Sequence, residues 1–233
     1  TDDIPIWEIK VGQLSKKNVK QAYLLLEKLH SRGDSDAQHD ILEGYLCLNQ
    51  KTKEMETAKQ IFQSLTTKSN NNFAAQIGLA YYLEATGKKP KARSLLKRAT
   101  KGHTYSQKQA TNFEAAWLLL AHIQITSGKY DLAQSLLKRV LHSNKSCAIA
   151  WELMGLIYEK EISYDNASEC YENAWKLMNE SDGKVGYKLA FNYLKDKRYV
   201  EAIDIGHKVL KEHPNFPKIE KDIIDQARDN IRK

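Results

Sequence analysis

Seven histidines, three cysteines and 29 Asp and Glu residues are the groups of this 233-residue chain that could ligate a metal, attack an electrophile or move a proton. Their spacing points away from all three. His30, His39, His103, His122, His142, His207 and His213 are scattered, and the nearest two, His207 and His213, stand six apart, on different faces of any helix. Cys47, Cys147 and Cys170 are odd in number and lack CxxC spacing, so they read as ordinary thiols of a reduced protein. There is no HExxH segment, no GxSxG and no Gly-rich phosphate loop after a strand. Glu159 and Glu161 read as solvated helix residues rather than a general acid and its partner. The expectation is a non-catalytic chain with no metal, no cofactor and no small-molecule substrate. One charged cluster remains. Lys88, Lys89, Lys91, Arg93, Lys97, Arg98 and Lys101 could face an acidic protein surface, lipid headgroups or RNA phosphates, or could simply be a solvated face. No aromatic residue interleaves with them to stack a base, which disfavours nucleic acid.

The elements that carry these residues repeat. In Ala148–Ser181, Trp151, Met154, Gly155 and Tyr158 share one stripe of a first helix, and Ala167, Tyr171 and Ala174 share one stripe of a second. With Trp151 at repeat position 4, the others fall at positions 7, 8, 11, 20, 24 and 27, which is the tetratricopeptide (TPR) pattern. Small residues at 155 and 167 let two helix axes approach, and neither helix can bury its stripe alone. The small residue of the second helix recurs at Ala58, Ala92, Ala133, Ala167 and Ala202, at intervals of 34, 41, 34 and 35. The spacing therefore predicts an all-α fold, an α-solenoid wound as a right-handed superhelix, with five repeats at 39–72, 73–113, 114–147, 148–182 and 183–216.

The flanks are less regular. Residues 1–38 read as a degenerate hairpin, with apolar Ile4, Ile6, Trp7 and Ile9, a stripe of Val19, Ala22, Leu26 and Leu29, and a stop at Ser31–Asp34. Lys101–Phe113 holds seven extra residues, in a longer second helix or in a bulging loop. Asn215, Phe216 and Pro217 are expected to open a capping helix over 217–233, with Ile219, Ile223, Ile224, Ala227 and Ile231 on one side. Ala115–Ile125 is the most apolar window, about half a membrane span, and reads as a core helix with no membrane insertion. The chain opens on Thr1, and it is read as a piece of something longer. Its formal charge of +7 is dispersed among 36 Lys and Arg and 29 Asp and Glu.

In a TPR array the first helices line a concave groove, and positions 2, 5, 9, 12 and 13 point into it. Counting places Ile77, Tyr81, Leu118, His122, Leu156, Tyr187 and Phe191 at the centre of that groove, an apolar floor that could receive a partner's extended segment or helix. The alternative is that these residues pack on neighbouring helices. The Lys and Asn pair at positions 5 and 9 with which chaperone-binding TPR domains clamp a carboxylate is absent.

Beyond the period, GYKLAFNYLKDKRYVEAIDIGHKVLKEHPNFPKIEKDIIDQARDNIRK over 186–233 is similar to the C-terminal end of the tetratricopeptide repeat protein 21 family, and MGLIYEKEISYDNASECYENAWKL over 154–177 resembles the repeat before it. That resemblance implies the large all-TPR subunit of the intraflagellar transport A complex, acting in retrograde transport, ciliary protein trafficking and cilium assembly. It implies docking onto the WD-repeat and TPR subunits of that complex, at the ciliary base, the axoneme and the cytoplasm. A generic TPR adaptor holding an apolar peptide and a basic helical-repeat RNA binder are the competing readings.

Overall fold

The computed structural model describes residues 37–48, 52–69 and 72–232. The expected first hairpin, with its Ile4–Ile9 cluster, Ala22 and the stop at Ser31–Asp34, lies outside these apart from its last two residues, and so do Gln50 and Lys51, at positions 12 and 13 of the first expected repeat. Among the described residues there is no strand. The helices are α1 (Ala37–Leu48), α2 (Thr52–Lys68), α3 (Phe73–Ala85), α4 (Lys89–Gly102), α5 (Ala110–Ile125), α6 (Tyr130–Ser143), α7 (Ala148–Lys160), α8 (Tyr164–Leu177), α9 (Gly183–Lys195), α10 (Tyr199–Glu212) and α11 (Asp225–Ile231). A 3₁₀ turn, Gln107–Gln109, precedes α5, and a π turn, Glu220–Ile224, runs into α11. Two compact units divide at Ile123 and Gln124.

The second helices show why the chain folds this way. Ala92, Leu96 and Ala99 are the buried residues of α4; Ala133, Leu137 and Val140 are those of α6. The same four-then-three spacing gives Ala58, Phe62 and Leu65 in α2, and Ala167, Tyr171 and Ala174 in α8. A stripe so spaced lies on one side of a helix and leaves charge on the other. All five alanines of the repeat are 0% exposed.

Within the first unit, α1 pairs with α2 and α3 with α4, and α3 also packs on α1 and α2. Phe62 is the joint. A Cβ built on Gly44 would come within 2.7 Å of its ring, and one on Gly78 would come closer still. Tyr45 packs edge-on to Phe62, with ring centroids 5.1 Å apart, and donates its hydroxyl hydrogen bond to the Ala74 carbonyl at 2.9 Å. Within the second unit, α7 packs on α8, α8 on α9 and α9 on α10. Here a Cβ on Gly155 would stand 3.0 Å from the Tyr171 ring, so the small residue at position 8 is where two helices touch.

Four hairpin turns repeat one backbone pattern. The N–H groups of Lys88, Lys129, Ser163 and Arg198 donate to the carbonyls of Leu83, Gln124, Tyr158 and Tyr193 at 2.8–2.9 Å, the six-to-one bond that closes a Schellman turn. The residue before each donor is left-handed: Gly87, Gly128, Ile162 and Lys197, with φ of 76°, 68°, 62° and 64°. Glycine takes that conformation freely, but a β-branched residue does not.

The seven extra residues do not lengthen the second helix. α4 has 14 residues, the same as α6, α8 and α10. The surplus sits largely in the loop and 3₁₀ turn over 103–109 and in α5, which has 16 residues against 13 for α3, α7 and α9. Rings organise it. His103 stacks on Phe73 at 4.4 Å, Phe73 meets Phe113 edge-on at 4.9 Å, and Tyr105 lies parallel to Trp117 at 6.0 Å. At the other end, Pro217 does not open the last helix. Lys218 is left-handed, with φ of 68°, so helical backbone starts after it. Burial sets the register instead: Ile219, Ile223, Ile224 and Ala227 are all 0% exposed, and a Cβ on Gly206 of α10 would meet Ile224 at 2.8 Å. Ile231, expected on the same side, is exposed.

Candidate protein-binding surfaces

The expected groove residues of the first unit separate by burial. Ile77 is 0% exposed and Leu118 4%, so both are core residues and neither offers surface to a partner. Position 5 of α3 and α5 is thus occupied by packing. Tyr81 is half-buried at the edge of the Tyr45 and Phe62 cluster, with its ring 6.3 Å from that of Tyr45, and burial pushes its phenol well above the usual range. His122 remains open to solvent along nearly half of its side chain, 3.8 Å from a Glu84 carboxylate oxygen. Of these four, Tyr81 and His122 are the accessible side chains, and the Glu84 carboxylate of α3 stands beside His122.

In the second unit Leu156, Tyr187 and Phe191 are all half-buried. Tyr187 stacks on Phe216, with centroids 5.7 Å apart, so part of its face is already covered by the C-terminal segment. The Lys195 ammonium lies 5.2 Å above the Phe191 ring. Beside them runs a polar network that counting by residue type did not reveal. Glu159 is an acceptor within the structure rather than a solvated carboxylate: Tyr171 donates to it at 3.0 Å and the Asn192 amide at 3.2 Å. Asn192 is fully buried and also donates to the Lys188 carbonyl at 2.8 Å, while the Lys188 ammonium reaches Glu152 at 2.7 Å. Burial, and then the Glu159 charge, pushes the Tyr171 phenol far up. The available signal was separation in sequence: Glu152 and Lys188 lie 36 apart and Glu159 and Asn192 lie 33 apart, each about one repeat. These bonds fix α7, α8 and α9 against one another and hold a rigid surface.

The cationic residues fall together. Lys89, Lys91, Arg93, Lys97, Arg98 and Lys101 belong to α4, and Lys88 caps it without any side-chain cap bond. Lys91, Lys97, Arg98 and Lys101 are exposed, and the last three with Gly102 border an open depression.

Groups suited to chemistry are sparse among the described residues. His39, Asp40 and Glu43 bring one ligand atom each within 4.8 Å of one another, all from the first turns of α1. Cys147 and Cys170 are buried, and burial pushes the Cys170 thiol up to about 12, far from a reactive thiolate. Among the described residues, no helix is long and apolar enough to cross a membrane. Each unit presents ridged helical surface, the equipment of a protein-binding scaffold.

Comparisons with known proteins agree with this geometry. The chain superposes on a chain of the APC/C hetero-tetramer Cut9–Hcn1 with a TM-score of 0.70, at 18% identity, over 97% of this chain and 41% of that one. It also superposes on YrrB, described as a TPR protein with an unusual peptide-binding site, with a TM-score of 0.56 at 14% identity, over 89% and 98% of the two chains. Both likenesses concern the fold, an α-solenoid of stacked helix pairs. In sequence, it is 44% identical over 216 residues to tetratricopeptide repeat protein 21B of Homo sapiens, covering 92% of this chain and 16% of that protein. It is 40% identical over 222 residues to the human 21A protein, covering 94% and 17%. The chain thus spans about a sixth of the length of these relatives. The family model described as the tetratricopeptide repeat protein 21 C-terminal ARM domain matches residues 21–228, and the chain belongs to that family.

Proposed function

We propose that this chain is the C-terminal part of a subunit of the intraflagellar transport A complex and acts there, without catalysis, as a docking scaffold in retrograde ciliary transport. The observation that carries the reading is the family match across 21–228, over the region whose sequence resembles that subunit's C-terminal end. The mechanism is shape. Helices locked by the Gly155 and Tyr171 contact and by the Glu159 network lose little freedom when a partner covers them, so more of the contact energy appears as affinity. The partners are the WD-repeat and TPR subunits of the same complex. The place of action is the ciliary base, the axoneme and the surrounding cytoplasm.

The test is co-purification of the chain with each other subunit, with cross-links mapped by mass spectrometry. Stable retention with cross-links concentrated on one set of helices supports the reading. If no subunit is retained while short apolar peptides bind beside Tyr81 or Phe191, the chain is a peptide adaptor and the docking role fails. Leu118→Glu is unsuited as a probe, since it would place a charge in the core. Leu156→Glu tests the second unit's surface at a half-buried position.

A further inference from the structure

One helix, α4, and its cap carry a dense run of charge of a single sign. Seven cations lie between Lys88 and Lys101 with no carboxylate among them, and the remaining 29 Lys and Arg equal the 29 Asp and Glu of the chain. Elsewhere the charges cancel only in sum, 148–182 being acidic and 129–145 and 184–198 basic.

That helix forgoes what its counterparts keep. α2, α6, α8 and α10 each carry an acid in the first turn, where the helix dipole favours it: Glu54, Asp131, Asp165 and Glu201. α4 has none and begins with cations instead. Arg93, Lys97 and Lys101 then follow at four-residue spacing, in one row of like charges that repel. No ion pair joins any of these cations to a carboxylate among the described residues. The helix is therefore destabilised on its own account, and an opposite charge laid along it would remove the cost.

We infer that the exposed face of α4 is a docking surface for an acidic, Asp- and Glu-rich segment of a partner protein. The inference rests on the reading of the chain as a protein-binding scaffold. Charge complementarity names the partner's chemistry. The helix is about 21 Å long, a length covered by roughly six or seven residues of extended chain. Lys97, Arg98 and Lys101 surround the depression at its C-terminal end, where a carboxylate can meet more than one cation. A lipid surface fits less well, because the apolar side of α4 is buried through Ala92, Leu96 and Ala99 and no large apolar residue of the helix is exposed to enter a bilayer. RNA fits less well because α4 has no ring to stack a base.

The experiment measures binding of a fluorescent octaglutamate peptide by anisotropy, with phosphatidylserine vesicles and oligouridylate as rival probes, at low and at physiological salt. The peptide should bind, should weaken as salt rises, and should lose about tenfold or more in affinity in Lys97→Glu/Arg98→Glu/Lys101→Glu. The same triple variant should not melt earlier than the parent. The neutral pair Lys97→Gln/Lys101→Gln gives a milder version of both results. Equal binding by parent and variant overturns the inference, as does tight binding to vesicles or oligouridylate that octaglutamate cannot displace. Retention of transport subunits by the triple variant, with peptide binding absent from the parent, sinks this inference alone and leaves the scaffold reading standing.

Discussion

The hairpins α3–α4 and α7–α8 use one architecture with opposite surface chemistry. Each has a 13-residue first helix, a 14-residue second helix and a turn closed by the same six-to-one bond. Each has a first-helix glycine against an aromatic ring, but Gly155 meets Tyr171 of its own hairpin whereas Gly78 meets Phe62 of α2, in the hairpin before. Yet α8 carries Asp165, Glu169 and Glu172 with a single Lys176, while α4 carries six cations and no acid. The turn differs as well: Gly87 in one, Ile162 in the other, both left-handed. The difference teaches that the buried stripe specifies the hairpin and that a close glycine contact can fall within a hairpin or between two, whereas the solvent face and even the turn residue are free to vary.

That separation can be broken at its strongest point first. Gly155→Leu drives a side chain into the Tyr171 ring and should lower stability by roughly 1–3 kcal/mol through overpacking, read as a lower thermal midpoint. Gly78→Ala should cost as much with a smaller residue, because its Cβ would lie deeper in the Phe62 ring. Unchanged midpoints in both would show that the glycines are not the joints.

The turns sharpen the comparison next. Gly87→Ile should cost about 1–2 kcal/mol, the strain of a β-branched left-handed residue, and Ile162→Gly should return somewhat less, since glycine loses more freedom on folding. Ile162 is 71% exposed, so little burial is forfeited. If Ile162→Gly is destabilising, the turn is held by contacts rather than by backbone conformation.

A third difference depends on pH. Burial holds His103 below its ordinary imidazole value of 6.5, and no equivalent ring follows α8. The folded chain then takes up this proton less readily than the unfolded one. The stabilisation is complete above about pH 6.5 and is lost as pH falls toward the lower folded value. The parent's thermal midpoint should drop on mild acidification by more than that of His103→Phe, which keeps the stacking on Phe73 but has no proton to gain. Parallel melting curves would show that His103 titrates the same in both states.

The smallest effects belong to the solvent faces. Lys97→Glu should raise stability by a few tenths of a kcal/mol by turning two repulsions into attractions. Glu172→Lys should lower it by a similar or slightly larger amount, since Glu172 pairs with Lys176 at 2.6 Å and accepts from the Tyr193 hydroxyl at 3.1 Å. Opposite signs for the two charge changes are the expected signature.

What was legible in the sequence follows the same division. Ala58, Ala92, Ala133, Ala167 and Ala202 could be read because a helix contact tolerates only a small side chain, and the residue type records the contact directly. The left-handed turn could be read at Gly87 and Gly128, but at Ile162 and Lys197 nothing in residue type marks it. Pro217 suggested a helix start, yet the burial of Ile219, Ile223 and Ile224 moved the start beyond Lys218. The groove was least legible. Position counting says which way a side chain points, but whether Ile77 or Leu118 is covered depends on neighbours whose approach no local pattern encodes. The Glu159, Tyr171 and Asn192 network failed to show for the same reason, since its members come from three helices.

The concentration of charge on α4 also has a consequence for time rather than for stability. Within a Debye length, about 8 Å in physiological salt, the seven cations of α4 and its cap act together on whatever approaches that face. An acidic molecule that comes within that range of α4 is turned toward it before contact forms. Diffusional encounter on this face is thereby biased toward acidic partners.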